Sequence, residues 1–315
     1  MIELAEIEAA RDRIAGTAVR TALLRLQTGD TPAEIYLKLE NLQPINSFKI
    51  RGATNAVLQA PAADRAKGLV TASAGNMAQG VAWVARSFGV PATIVVPEQA
   101  PQAKLAAIER LGGRVVKRPY DDWWNVIVAG RADGIDGLFV HPVQDPAVMA
   151  GNGTIGLEIL EDLPDPDAVV IPYGGGGLTC GIASAIKALS PRTKIVTAEP
   201  EGGAALAAAL AAGGPVTVDF RASFVDGAGS RRVLDSMWPR VAPLVDLAVS
   251  VPVAQVAAAI RTLAERARVI AEGAGALATA AALSGQAGPG KVVCVVSGGN
   301  LDLGLLSDIL TGGHG

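Results

Sequence analysis

The residue types best suited to covalent chemistry cluster in one stretch, Asn46-Ser47-Phe48-Lys49-Ile50-Arg51-Gly52-Ala53. Lys49 is flanked by apolar Ile45, Phe48 and Ile50, with small Gly52 and Ala53 beyond. Most lysines are solvated surface charges, and that is the default reading of any one of them. A lysine held in apolar surroundings loses part of its preference for the ammonium form, so its amine becomes a nucleophile and a base. Such an amine needs something to react with.

The strongest local signal is the turn Tyr173-Gly174-Gly175-Gly176-Gly177-Leu178-Thr179, between an expected strand and an expected helix. Consecutive glycines cost conformational entropy and call for a reason. Amides without side chains at a helix N-terminus can wrap an anion, with the helix dipole adding to the attraction. No Gly-Lys-Ser/Thr follows, so this is not a Walker loop, and the spacing is not that of a dinucleotide fingerprint. A phosphate cradle is the functional reading, and a tightly packed turn the structural one. A second turn, Ala72-Ser73-Ala74-Gly75-Asn76-Met77, offers Ser73 and Asn76 either as helix N-caps or as donors to a carboxylate. A third, Ser297-Gly298-Gly299-Asn300, closes the last expected strand. In an open parallel sheet all three turns sit at strand C-termini, where ligands bind.

The elements that must position these turns read as follows. A helix spans Glu3 to Ala15, and a strand-like run, Ile35 to Leu39, delivers the chain to the Lys49 loop. Arg51 to Ala60 is helical. Three strand–helix units follow, with strands at Leu69–Ala72, Ala92–Val96 and Arg114–Lys117 and helices near Met77–Phe88, Ala103–Leu111 and Tyr120–Ala132. Nearly all-apolar strands alternating with helices indicate a parallel sheet covered on both faces. Val140 to Pro146 breaks the rhythm with two prolines and reads as a domain crossing. Beyond it come a helix (Thr154–Leu163), strands at Ala168–Ile171, Lys194–Glu199 and Val292–Val296, helices near Leu178–Ser190, Val253–Arg266 and Gly275–Ser284, and an irregular stretch through Arg240. The expectation is an α/β chain of two domains, each a mostly parallel twisted sheet flanked by helices: residues 1–52 with 146–315, and 53–145 inserted between them.

The composition narrows the classes. With 315 residues, half of them apolar and 4% aromatic, the chain has material for substantial cores. A net charge of −3 and no basic run give no reason to expect nucleic acid. Cys180 and Cys294 read as buried free thiols, with no metal spacing. The N-terminal stretch reads as an amphipathic helix and not a signal peptide, and no stretch is long enough to span a bilayer. A cytoplasmic protein is expected.

The motifs, taken in order, resemble the pyridoxal-phosphate enzymes of the tryptophan-synthase-β type (fold type II), and within them the serine/threonine dehydratases. Lys38-Leu39-Glu40-Asn41-Leu42-Gln43-Pro44 and Ser47-Phe48-Lys49-Ile50-Arg51-Gly52-Ala53 resemble the segment carrying the Schiff-base lysine. Ser73-Ala74-Gly75-Asn76 resembles the loop that grips the substrate carboxylate, its Asn bonding the cofactor's ring hydroxyl. His141-Pro142, Asp145-Pro146, Gly151-Asn152-Gly153-Thr154 and Glu158 resemble the return into the large domain, and His141 reads as structural. Gly174 to Leu178 is similar to the phosphate loop, and Ser297 to the serine that meets the pyridine nitrogen. Glu272, in Glu272-Gly273-Ala274-Gly275, matches a turn near the cofactor ring, whereas the loop after Asp226-Gly227 stays unassigned.

The resemblance implies pyridoxal 5′-phosphate as cofactor, bound by Lys49, Phe48, Asn76, Gly174, Gly175, Gly176, Gly177, Leu178 and Ser297. Lys49 is the implied catalytic base, and Ser73, Ala74, Gly75, Asn76 and Met77 are the implied substrate contacts. The implied reaction is β-elimination from a 3-hydroxy-L-amino acid, by default L-threonine or L-serine, giving a 2-oxo acid and ammonia. A neutral hydroxyl at Ser297 does not hold the pyridine protonated, which favours elimination over transamination. Ala74 stands where serine racemases carry a second proton-donating serine, so racemization is not expected. Met77 stands in place of a usual histidine and Asn46 in place of a frequent glycine, both read as near the substrate. These keep a bulkier or acidic substrate open, such as phenylserine or 3-hydroxyaspartate. A β-replacement enzyme is disfavoured by the Ser73 loop, and a non-catalytic binding protein by the intact Lys49, Asn76, glycine turn and Ser297. The divalent site of the family begins at Glu199-Pro200, but its acidic partner is replaced by Ala205, so no strong metal site is expected. A homodimer or homotetramer is implied, and with only about 15 residues after Asn300, no regulatory domain.

Overall fold

The computed structural model describes residues 1–29 and 31–313. Two sheets organise them. The larger has six strands in the order β1-β2-β10-β7-β8-β9, namely β1 Leu23–Arg25, β2 Ala33–Lys38, β7 Ala168–Pro172, β8 Lys194–Pro200, β9 Leu247–Val251 and β10 Gly290–Val295. All neighbours are parallel except β1, which pairs antiparallel with β2 at one edge. The smaller sheet is fully parallel in the order β5-β4-β3-β6, with β3 Leu69–Ala72, β4 Ala92–Pro97, β5 Gly113–Arg118 and β6 Leu138–Phe139. The smaller sheet therefore uses one continuous stretch of chain, and the larger draws strands from both sides of it.

Side-chain alternation explains why the central strands carry apolar residues on both faces. Val170 and Cys294 join Ile35, Leu37 and Leu277 on one face of the large sheet. Val169, Ile171, Val293 and Val295 pack with Ile182 and Ile186 on the other. The small sheet repeats the pattern, with Leu69, Ile94 and Val96 on one face and Val70, Ala72 and Val95 on the other. Both cysteines are buried and free.

Several elements differ from expectation. Strands β1 and β6 carry only three and two residues, too few to show a period, and β9 lies at a sheet edge with two of its five positions exposed. The helix expected from Thr154 starts at Pro146 and runs to Asp162. Asp145 caps it by accepting from the Ala147 amide, and proline is well suited to a first helical position. The helix after β9 ends at Thr262 and passes into a π-turn, Leu263–Ala267. Among the described residues no helix is long and apolar enough to cross a membrane.

Close helix packing fixes the frame behind the large sheet. A Cβ on Gly181, in the helix Gly177–Leu189, would run into the Met149 carbonyl and lie 2.8 Å from the Gly153 amide. Both contacts are backbone of the Pro146–Asp162 helix and cannot swing aside. Gly181→Ala is expected to lower the unfolding free energy by about 1–3 kcal/mol through overpacking, read as a lower urea midpoint at unchanged m-value.

Candidate active site

The turns after β3, β7 and β10 open onto one cleft of about 560 Å³ between the two sheets. Phe48, Lys49, Ser73 to Met77, Gly174 to Leu178 and Ser297 all line it, so residues distant in sequence meet there. Lys49 is the first residue of the helix Lys49–Gln59, not part of a loop before it. The preceding segment is pinned to the third turn, since the Phe48 amide donates to the Ser297 carbonyl at 3.1 Å and Ser47 bridges to Gly298. Lys49 as a whole is half-buried and opens to the cleft, while its amine sits among protein groups. The amine donates to the Pro142 carbonyl at 2.9 Å and lies 5.1 Å from the centre of the Phe48 ring. Burial pushes its pKa down to about 8.

The glycine turn packs closely against a neighbouring loop and also borders the cleft. Gly176 has φ +94°, a conformation that favours glycine. A Cβ on Gly175 would lie 2.5 Å from Val143, and one on Gly177 would lie 2.8 Å from the Val143 carbonyl. The glycines thus let the 141–144 loop pack against the turn. The same turn lines the cleft at the start of the helix Gly177–Leu189, whose first N–H groups have no intrahelical acceptor. That end suits an anion.

The asparagine loop departs from the capping reading. Gly75 occupies the N-cap of the helix Asn76–Phe88 without a side-chain cap. The Ser73 hydroxyl instead accepts from the Gly75 amide at 3.2 Å within its own turn. Asn76 reaches across the cleft: its Nδ2 donates to Glu272 Oε1 at 2.7 Å, and its Oδ1 accepts from Asn300 Nδ2 at 2.8 Å. Glu272 is buried, and loss of solvent pushes its pKa up to about 7 against the opposing bond from Asn76. Met77 is 1% exposed and packs in the core of the small sheet. Asn46 is not among the residues lining the cleft. Its φ of +55° is a left-handed conformation that glycine and asparagine adopt most readily.

Among the cleft residues not assigned from sequence are Trp123, Tyr120, Lys104 and Asp226. Trp123 and Tyr120 are one helical turn apart with ring centroids at 5.5 Å, and Lys104 pairs with Asp226 across the cleft mouth. The signal was positional. The helices bearing Lys104 and Tyr120 start just after β4 and β5, at strand C-termini. At Glu199, the carboxylate oxygens accept from the Leu206 and Ala207 amides, both at 2.9 Å, and so cap the helix Ala205–Ala212.

A desolvated amine in one cleft with a helix end stripped of side chains, at the carboxyl edges of two mostly parallel sheets, suits an enzyme site for a phosphorylated carbonyl compound. Residues 14–298 match the family described as pyridoxal-phosphate dependent enzyme, and the chain belongs to that family. It is 41% identical to an L-threonine ammonia-lyase of Thermotoga maritima, covering 99% of this chain and 79% of that one. The fold is similar to the structure of maize serine racemase (TM-score 0.90, 32% identity, 98% of this chain and 97% of that one). It is also similar to the processed form of threonine deaminase isoform 2 from Solanum lycopersicum (TM-score 0.86, 34% identity, 98% of this chain and 92% of that one).

The burial of Glu272 predicts a pH-dependent contribution to stability. Its folded value of about 7 lies above the ordinary 4.5, so the stability from its proton is present at low pH and is lost as pH rises through about 7. Glu272→Gln keeps an oxygen for Asn76 and does not titrate. In the cofactor-free protein its stability relative to wild type is expected to rise across that window by about 1–3 kcal/mol and then level off, read from urea midpoints against pH.

Proposed function

We propose that this chain is a dehydratase that converts a 3-hydroxy-L-amino acid, L-threonine or L-serine by default, to the 2-oxo acid and ammonia. The observation that carries the reading is the desolvated Lys49 amine, which shares one cleft with the Gly174–Gly177 turn. Relatives named threonine ammonia-lyase across nearly the whole chain support it.

The cleft fits pyridoxal 5′-phosphate. The Gly174–Leu178 turn would hold the phosphate, Lys49 the carbonyl carbon, Asn76 the ring hydroxyl and Ser297 the pyridine end. When bound, the cofactor supplies the carbonyl that captures the substrate's amino group and the conjugated ring that takes up electron density. Ser73, Ala74, Gly75, Asn76 and Met77 form the wall for the substrate carboxylate, where the start of the Asn76–Phe88 helix favours a negative charge. Lys49 Nζ, brought down to about 8 by burial, is the base that would take the proton from the substrate Cα. Ser297 offers a neutral hydroxyl, which would leave the pyridine end without a charged partner. The β-hydroxyl leaves as water, and hydrolysis returns one water as ammonia departs, so the net products are the 2-oxo acid and ammonia. Ala74 has no proton to give at its side of the cleft.

We also propose that residues 1–52 with 146–315, and 53–145, act as two domains around this cleft, the first border falling inside the helix Lys49–Gln59. A homodimer or homotetramer is the assembly that the family resemblance supports.

Release of 2-oxo acid from a panel of 3-hydroxy amino acids tests the reading, with turnover expected for L-threonine or L-serine. Failure of the whole panel with cofactor bound would sink it. Lys49→Ala is expected to remove the visible colour of the bound cofactor and to cut turnover by at least about 10²-fold. Wild type is expected to form no D-serine from L-serine, and Ala74→Ser to form a measurable amount by chiral chromatography.

A further inference from the structure

We propose that His141 is a positioning residue, a neutral imidazole in the Nε2–H form that holds the 141–144 loop so that Pro142 receives the Lys49 amine and Val143 seats the glycine turn. Nδ1 accepts from two backbone amides of the loop, Val143 at 3.1 Å and Gln144 at 3.0 Å. A ring nitrogen that accepts carries no proton, so the proton lies on Nε2, which donates to the Ile127 carbonyl at 3.0 Å. One ring thereby ties the loop to the helix Tyr120–Ala129, which carries the aromatic pair at the cleft.

The loop touches both halves of the cofactor-binding machinery. The Pro142 carbonyl accepts from Lys49 Nζ at 2.9 Å. Val143 packs where a Cβ on Gly175 would fall, and its carbonyl lies against Gly177. A proton on Nδ1 would turn the acceptor of two N–H groups into a donor facing them, which leaves the loop without its anchor. The surroundings oppose that proton. Burial disfavours the charged ring and the Lys49 ammonium adds to this, whereas the Ile127 carbonyl and Asp145 pull the other way, with a net downward shift. Asp145 itself caps the next helix through the Ala147 amide. His141 therefore acts on the chemistry through Lys49 and the glycine turn without touching either reactant.

Two substitutions separate the roles of the ring. His141→Asn puts an oxygen where Nδ1 accepts, whereas His141→Gln extends an amide towards Ile127 and leaves the loop amides unpaired. The proposal rests on the lysine and glycine-turn reading given above, so the first readout is independent of any amino-acid substrate. It is capture of pyridoxal 5′-phosphate by the cofactor-free protein, followed by visible absorbance. Affinity is expected to fall about tenfold in His141→Gln and to stay within about threefold of wild type in His141→Asn. The kcat for 2-oxo acid release is expected to follow the same order, with KM changed less. The chain has two histidines, His141 and His314, and the His141→Asn spectrum assigns them. Imidazole ¹⁵N shifts of the cofactor-free wild type are expected to show His141 protonated on Nε2 alone. An Nδ1–H or doubly protonated ring at neutral pH, or equal losses in folded Asn and Gln variants, would overturn the proposal. Absence of turnover with normal cofactor capture in wild type would instead count against the dehydratase reading.

Discussion

Behind Lys49 lies a buried ionic cluster on which the geometry of the cleft depends. Arg51, two residues further along the same helix, is 1% exposed. It pairs in fork fashion with Glu40 (2.8 Å) and Glu158 (2.6 Å), and Lys38 Nζ meets Glu158 at 2.5 Å. Thr154 and the Val19 carbonyl accept its remaining N–H groups. Burial works against the charge of Arg51, and the two carboxylates outweigh it and raise its pKa. Such a cluster is weak evidence for stability, because desolvation offsets most of the attraction. Its strength is geometric, since bidentate pairs tolerate little displacement. Strand β2, the turn at Glu40, the Lys49 helix and the Pro146–Asp162 helix each contribute a charge. The first turn of the Lys49 helix is thereby fixed from the rear.

The front of the cleft is set by loss of solvent. Burial moves the Lys49 amine down to about 8 and the Glu272 carboxyl up to about 7. Both shifts have one cause and opposite signs, as expected for a base and an acid in the same dry setting. Asn76 and Asn300 connect Glu272 to the Ile45 carbonyl, close to the Lys49 segment, so groups from both sheets share one hydrogen-bond chain. The Lys104–Asp226 pair and the Tyr120–Trp123 rings stand at the opening.

Much of the fold was legible because its signals are local. Strand Leu69–Ala72 was read to the residue, and β4, β7, β8 and β10 to within two residues at either end. Each is an apolar run bounded by turn residues, buried on both faces of a parallel sheet. The three turns that open onto the cleft were legible for the same reason. The losses were of two kinds. Strands β1, β6 and β9 are short or lie at sheet edges, with exposed positions such as Leu24 and Leu247, so no period marks them. The start of the Pro146–Asp162 helix was missed because two prolines read as a break, although one of them occupies a helix's first position.

By itself the sequence determined the buried strands and most of the helices between them, the glycine turns and a lysine in apolar company, because backbone conformation and side-chain period are set by near neighbours. It also carried enough motif to place Lys49, Asn76, Gly174–Gly177 and Ser297 on one list. Only the tertiary structure decided what each of them touches. The Pro142 carbonyl on the Lys49 amine, Glu272 on Asn76 and Val143 on the glycine turn join residues roughly 30 to 200 positions apart. The pKa values near 7 and 8 belong to the same category. Desolvation depends on every atom packed around a charge, and no stretch of chain supplies those atoms alone.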